Sequence, residues 1–202
     1  MGETKMHGLI NRGIQSFVCN TYGVERWMSV TAEAGLGFSE FESMLIYDDQ
    51  VTHALLRALC IELGQPESEI LEDLGTHLVS DPKMESLRRL LRFGGETYQE
   101  FLHSLDELPD RTRLAVSDLH LPRLELREQS AHQFALVCAP GLRGYGRVMM
   151  GVLRAMADDY GALVYLEHNG LQDQIGAEVI SITLVEADYA RGRDFDLGAR
   201  AG

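Results

Sequence analysis

The spacing of apolar residues changes once along the chain. From residue 6 to about 113 they recur at helical intervals; beyond that, short apolar runs alternate or cluster as strands do. "HGLINRGIQSFVCNTYG" sets Leu9, Ile10, Ile14, Phe17 and Val18 on one face and stops at Gly23. "VERWMSVTAEAG" predicts a shorter helix closed by Gly35. "FESMLIYDDQ" reads as a turn, with Asp48 or Asp49 able to cap the helix "QVTHALLRALCIELG". Pro66 suits the first position of "QPESEILEDLGTHLV". In "DPKMESLRRLLRFGG", Asp81 is placed as a cap and Pro82 at the first position.

In "TYQEFLHSLDELPDRTR" (97–113), Thr97 and Glu100 have the spacing of a capping box. At ~100° per residue, Phe101, Leu102, Leu105 and Leu108 share a face, while His103 lies opposite them with Asp106. Position 109 falls within about 50° of the centre of the apolar face, and Pro109 there is expected to end the helix.

After residue 113, "PRLELREQS" alternates at Leu124 and Leu126, and "HQFALVCAPG", "ALVYLEHNG" and "AEVISITLVEAD" are strand-like runs. One apolar-faced helix, "RVMMGVLRAMADDYG", lies among them and ends at Gly161. Helices followed by a mostly antiparallel sheet predict an α+β domain. One domain is expected over 1–190, its helical part spanning 6–113 and its sheet part 114–187. The tail 191–202 has little apolar periodicity and is expected to fray.

Composition narrows the function. With 45% apolar and 24% charged residues among 202, the chain is ordinary for a globular protein. It has neither an apolar run long enough for a membrane span nor the pattern of a secretory leader, so it is expected in the cytoplasm. Gly2 could invite myristoylation, but Met6 stands where that pattern needs Ser or Thr. A net charge of −13, with arginines scattered among carboxylates, argues against nucleic acid. Cys19, Cys60 and Cys138 have no metal or disulfide spacing and read as small buried hydrophobes.

Few motifs carry chemistry. "GYGRVM" (144–149) lacks the third glycine and the parallel-strand setting of a dinucleotide fingerprint. The carboxylate pairs Asp48/Asp49, Glu67/Glu69 and Asp158/Asp159 read as caps and solvated faces. The seven histidines never pair at i+3 or i+4, so no zinc-type pair is predicted on a helix. No nucleophile or acid–base set appears, and the chain does not read as an enzyme.

"MHGLINRGIQSFVCNTYGVERW" (6–27), "IYDD" (46–49), "EILEDLG" (69–75) and "EFLHSLDEL" (100–108) together resemble the haem-nitric oxide/oxygen binding (H-NOX) family, over residues 6 to 187. The family includes bacterial sensor domains and the sensor domain of soluble guanylate cyclase. The resemblance implies N-terminal helices on a C-terminal four-stranded antiparallel sheet with one intervening helix. It also implies haem b as the default cofactor, held by a histidine that follows L-D-x-L. That position is Pro109. The family's Y-x-S-x-R motif for the propionates falls on Cys138, Pro140 and Leu142; a shift of one residue recovers Arg143 alone. Pro122 matches the porphyrin-packing proline, and His7, Val148 and Met149 the pocket wall, with no tyrosine for oxygen near the last two.

Both haem anchors are thus substituted, and poorly paired propionates would cost several kcal/mol. The expectation is a stand-alone H-NOX-like regulatory domain without ordinary haem. It would act through a signalling protein such as a diguanylate cyclase or histidine kinase and could hold an apolar small molecule in the remnant pocket. One alternative is a haem-based gas sensor rescued by His7, His120 or, facing the wrong way, His103. Another is a thiol redox sensor at Cys138.

Overall fold

A computed structural model describes residues 5–172 and 176–195; Gly2 and tail residues 196–202 lie outside them. The elements run β1 (Lys5–His7), α1 (Gly8–Tyr22), α2 (Val24–Glu33), β2 (Ile46–Asp48), α3 (Asp49–Leu63), α4 (Glu67–Ser80), α5 (Glu85–Arg92), α6 (Tyr98–His103) and α7 (Leu108–Ala115). Then follow β3 (Leu124–Ser130), β4 (Gln133–Cys138), α8 (Tyr145–Tyr160), β5 (Leu163–Gln172) and β6 (Ala177–Glu186). Among the described residues β3–β6 form a four-stranded antiparallel sheet in the order β3-β4-β6-β5. This is the predicted α+β arrangement.

Two apolar cores result. Trp27, Phe41, Leu55 and Leu59 centre the one between α1, α2, α3 and α4. Phe101, Leu102, Leu105, Leu136, Leu153 and Met156 centre the other, between the later helices and the sheet. Val148 packs against both. The layers are joined where α4 crosses α8. A Cβ on Gly75 would lie 2.0 Å from the Val148 carbonyl oxygen, and one on Gly151 would lie 1.9 Å from that of Glu72. Glycine at both positions lets the two backbones touch.

The N-terminal motif has a structural explanation. Gly8 donates its N–H to the Leu45 carbonyl at 2.7 Å, and a Cβ there would collide with the Glu42 and Leu45 carbonyls. Buried Asn11 accepts a 2.7 Å bond from Thr52, Trp27 donates to the Ser39 carbonyl, and the Tyr47 hydroxyl accepts from the Glu42 N–H. Asn11 thus ties α1 to α3, while the bonds to Leu45, Ser39 and Glu42 hold the loop between α2 and β2 in place.

Several expectations are corrected. "IYDD" is not only a turn: Ile46–Asp48 pairs antiparallel with Lys5–His7, and Asp48, not Asp49, caps α3. Pro66 is the N-cap of α4 rather than its first residue, and Pro82 opens a 3-10 turn ahead of α5. Pro109 does not end a helix. The capping box of Thr97 and Glu100 starts α6, a 3-10 turn covers Ser104–Glu107, and Pro109 sits in the first turn of α7, where a missing N–H leaves no bond unmade.

Cys19 and Cys60 are only half-buried. Asp159 is no solvated carboxylate. It is 1% exposed, because this face of α8 packs on α5, and Arg88 donates to it at 2.7 Å. Tail residues 191–195 are docked: the Arg193 N–H donates to the Asp159 carbonyl at 2.9 Å.

Candidate functional site

The loop 139–144, between β4 and α8, gathers the residues at the family's propionate positions. Cys138, the last residue of β4, faces Leu124 and Glu178 across the sheet and is 1% exposed. Burial, with the Glu178 charge second, pushes its thiol up to about 12. A thiol so rarely ionised is a poor nucleophile. Pro140 is exposed, Leu142 half-buried, and Arg143 exposed with Nε 3.3 Å from Glu67.

Pro140, Leu142 and Arg143 line a cleft of about 440 Å³ with Leu71, Arg147 and Leu171. That lies within the range of ~300–1,000 Å³ for small-molecule sites. Leu142 and Arg143 also border a second crevice of only about 50 Å³, where Met6, Ile10, Leu74 and Val148 meet. Val148 borders this crevice, whereas Met149 is buried in the core at 2% exposure. His53 of α3 lines the same crevice; it was not singled out from the sequence, where its place on the helix "QVTHALL" beside the apolar face was the available signal.

The other predicted residues lie elsewhere. Pro109 is half-buried and lines neither cavity. Pro122 is buried, its ring 3.9 Å from where a Cβ of Gly141 would sit. His103 is exposed, near Glu128 at 3.9 Å. His7 and His120 meet at Asp118. His7 Nε2 is 3.6 Å from the Asp118 carboxylate, and His120 Nδ1 is 2.9 Å from its carbonyl oxygen. His7 Nδ1 accepts the Leu9 N–H at 3.1 Å and caps α1. The ring proton must then sit on Nε2, which leaves that nitrogen no lone pair for a metal.

An arrangement not anticipated closes the other side of the cleft. His168 Nδ1 accepts from the Gly170 N–H at 3.1 Å, so its Nε2–H donates to Glu178 at 2.9 Å. Glu178 in turn accepts the Gly146 N–H at 3.3 Å, placing a carboxylate on the positive end of α8. A Cβ on Gly146 would lie 2.8 Å from Glu178 Oε2 and 2.9 Å from His168 Nε2. This explains "GYG": Gly144 takes φ +76° at the helix entry and Gly146 admits the carboxylate. Both nitrogens of His168 are occupied, so it is not a free base.

No cluster of three or more metal-ligating side chains occurs among the described residues. At the positions where the resemblance sets the haem, the side chains are not those of a histidine-held site. The ligand position is a proline, the His7 lone pair is spent on a helix cap, and the crevice is far smaller than a cofactor site.

A sequence model of the haem-NO-binding family, HNOB, matches residues 7–168. Soluble guanylate cyclase gcy-31 of Caenorhabditis elegans is 24% identical over 154 residues, 76% of this chain and 22% of the relative. Soluble guanylate cyclase 89Db of Drosophila melanogaster is 20% identical over 155 residues, 77% of this chain and 23% of the relative. The chain thus spans under a quarter of the length of these curated relatives. The unliganded Fe(II) H-NOX protein of K. algicida superposes with a TM-score of 0.78 at 17% identity, covering 92% of this chain and 100% of that one. The H-NOX protein of S. oneidensis in its Fe(II)NO state gives 0.74 at 14%, covering 89% and 99%. At such identities these likenesses show the fold, and the match over residues 7–168 shows the family. The chain belongs to the haem-NO-binding, or H-NOX, family of sensor domains.

Proposed function

We propose that this chain is an H-NOX regulatory domain that works without a histidine-ligated haem and passes its signal to a separate protein, such as a diguanylate cyclase or histidine kinase. The observation that carries the proposal is Pro109 at the ligand position, away from both cavities. The cleft of about 440 Å³ beside Leu142 and Arg143 supplies the binding volume; Leu71, Leu142 and Leu171 offer an apolar small molecule its surface, and Glu67, Arg143, Arg147 and Glu178 also line it.

Haemin titration of the purified protein tests this reading. We expect no sharp stoichiometric Soret band, and none from Pro109→His, because residue 109 lines neither cavity. A stoichiometric band in the native protein, abolished by one histidine substitution, would establish instead a gas sensor with an unusual ligand. His53→Ala is the first variant to try there, since His53 lines the crevice. Cys138 as a redox switch is disfavoured by its raised pKa; peroxide sensitivity lost in Cys138→Ala would restore it.

A further inference from the structure

We infer that residues 190–195 form a strap that opens and closes as a unit over the α5–α8 face, with Phe195 as its latch. The proposal does not depend on what the cleft binds. Backbone bonds set the strap's path: the Ala190 N–H donates to the Gly161 carbonyl and the Arg193 N–H to the Asp159 carbonyl, each at 2.9 Å. Both acceptors lie at the C-terminal end of α8, where carbonyls lack partners within the helix. The approach is close. A Cβ on Gly192 would lie 2.6 Å from the Asp159 carbonyl oxygen, and one on Gly161 would lie 2.1 Å from that of Ala190.

The latch is aromatic. The Arg92 guanidinium stacks on Tyr160 at 3.9 Å and receives the Phe195 ring at 4.9 Å, while Arg88 lies 5.6 Å from that ring. Arg88 also donates to the Asp194 carbonyl at 3.2 Å. Such ring–guanidinium contacts are attractive because the ring face is negative, and more so where the guanidinium is largely desolvated, as Arg88 is here.

The main pairings of the layer beneath do not use the strap. Arg88 donates to Asp159 at 2.7 Å and to Glu85 at 3.0 Å, Arg92 keeps Tyr160, and the Tyr160 hydroxyl donates to the Gly95 carbonyl. The strap's Arg193 adds only a 3.7 Å approach to Asp159. Lifting the strap breaks one Arg88 bond, to the Asp194 carbonyl, and leaves that guanidinium its Asp159 and Glu85 partners. Residues 191, 193 and 194 are exposed, so few contacts oppose opening.

Amide exchange by NMR and tryptic cleavage at Arg191 and Arg193, both on the full chain, test the inference. The Ala190 and Arg193 amides are expected to be protected, yet to exchange faster than those of Leu153 and Met156 inside α8. Phe195→Ala is expected to raise strap exchange and cleavage roughly tenfold and leave the α8 amides unchanged. Gly192→Ala, which cannot seat against Asp159, should do the same. Strap amides that exchange in step with α8, a Phe195→Ala chain that changes neither readout, or one that loses the fold would each overturn the proposal.

Discussion

Replacing Gly151 by alanine tests the crossing that joins the two halves of the molecule. The new Cβ would lie 1.9 Å from the Glu72 carbonyl oxygen and 2.7 Å from the Thr76 nitrogen. Ordinary contact begins at 3.4 Å, so α4 and α8 must part by about 1.5 Å along that line. The obstructing atoms are backbone and cannot rotate away. Overpacking of this kind costs about 1–3 kcal/mol or more, against a return of about 1 kcal/mol from alanine's helix propensity. A net loss of about 2 kcal/mol is expected, a fall of about 4–8 °C in Tm for a chain of this size. Gly13→Ala is the matched control. It is also mid-helix, but its nearest obstacle is the Leu78 Cδ2 at 3.9 Å, so it should stabilise by about 0.5–1 kcal/mol. Urea unfolding of both variants, read as a shift in midpoint at unchanged slope, measures the difference. Should Gly151→Ala prove as stable as Gly13→Ala, the backbone contact does not exist as described. Gly75→Ala should resemble Gly151→Ala, and the double variant should lose less than the sum because one displacement relieves both clashes.

Three further outcomes are expected. Cys138, its thiol held up at about 12 by burial and Glu178, should resist iodoacetamide at pH 8 until the protein unfolds, while the half-buried Cys19 and Cys60 react first; peptide mapping by mass spectrometry that finds Cys138 labelled in the native state would contradict this. Burial lowers the pKa of His77 below its ordinary 6.5, against the opposing Asp81 charge and with a smaller push from Lys83. The folded state then resists a proton that the unfolded chain accepts, so His77's share of stability is full above pH 6.5 and is lost as the pH falls below it. The midpoint of the native chain should accordingly drop more between pH 7.5 and 5.5 than that of His77→Gln, and parallel curves would refute the assignment. Asp159→Ala strands the buried Arg88 guanidinium and should cost about 3–5 kcal/mol in chemical denaturation; a loss under about 1 kcal/mol would mean the pair is solvated.

The hydrophobic period was enough to give the class of fold, because each long element buries one regular face. Leu105 and Leu108 fall where the 100° count places them, both buried. What escaped depends on partners distant in sequence. β1 and β2 are three residues each and exist only because they pair with one another. Asp158 and Asp159 look alike as a sequence pair, yet only Asp159 turns toward α5. His168 and Glu178 meet through a register shift between His168 and Leu171, which no period reveals. Pro109 was misread as a stop because proline is tolerated in a first turn as readily as beyond a last one.

The glycine crossing also has a mechanical meaning. Gly151 divides α8 unequally, about 9 Å from Tyr145 and about 14 Å from Tyr160 at 1.5 Å per residue. The α8 backbone meets α4 at two places a turn apart, Val148 against Gly75 and Gly151 against Glu72, so the crossing is a clamp rather than a single pivot. The shorter segment borders the crevice at Tyr145 and Val148; the longer ends at Asp159 and Tyr160. The crevice end and the Asp159 end of α8 are thus held to α4 through one shared clamp.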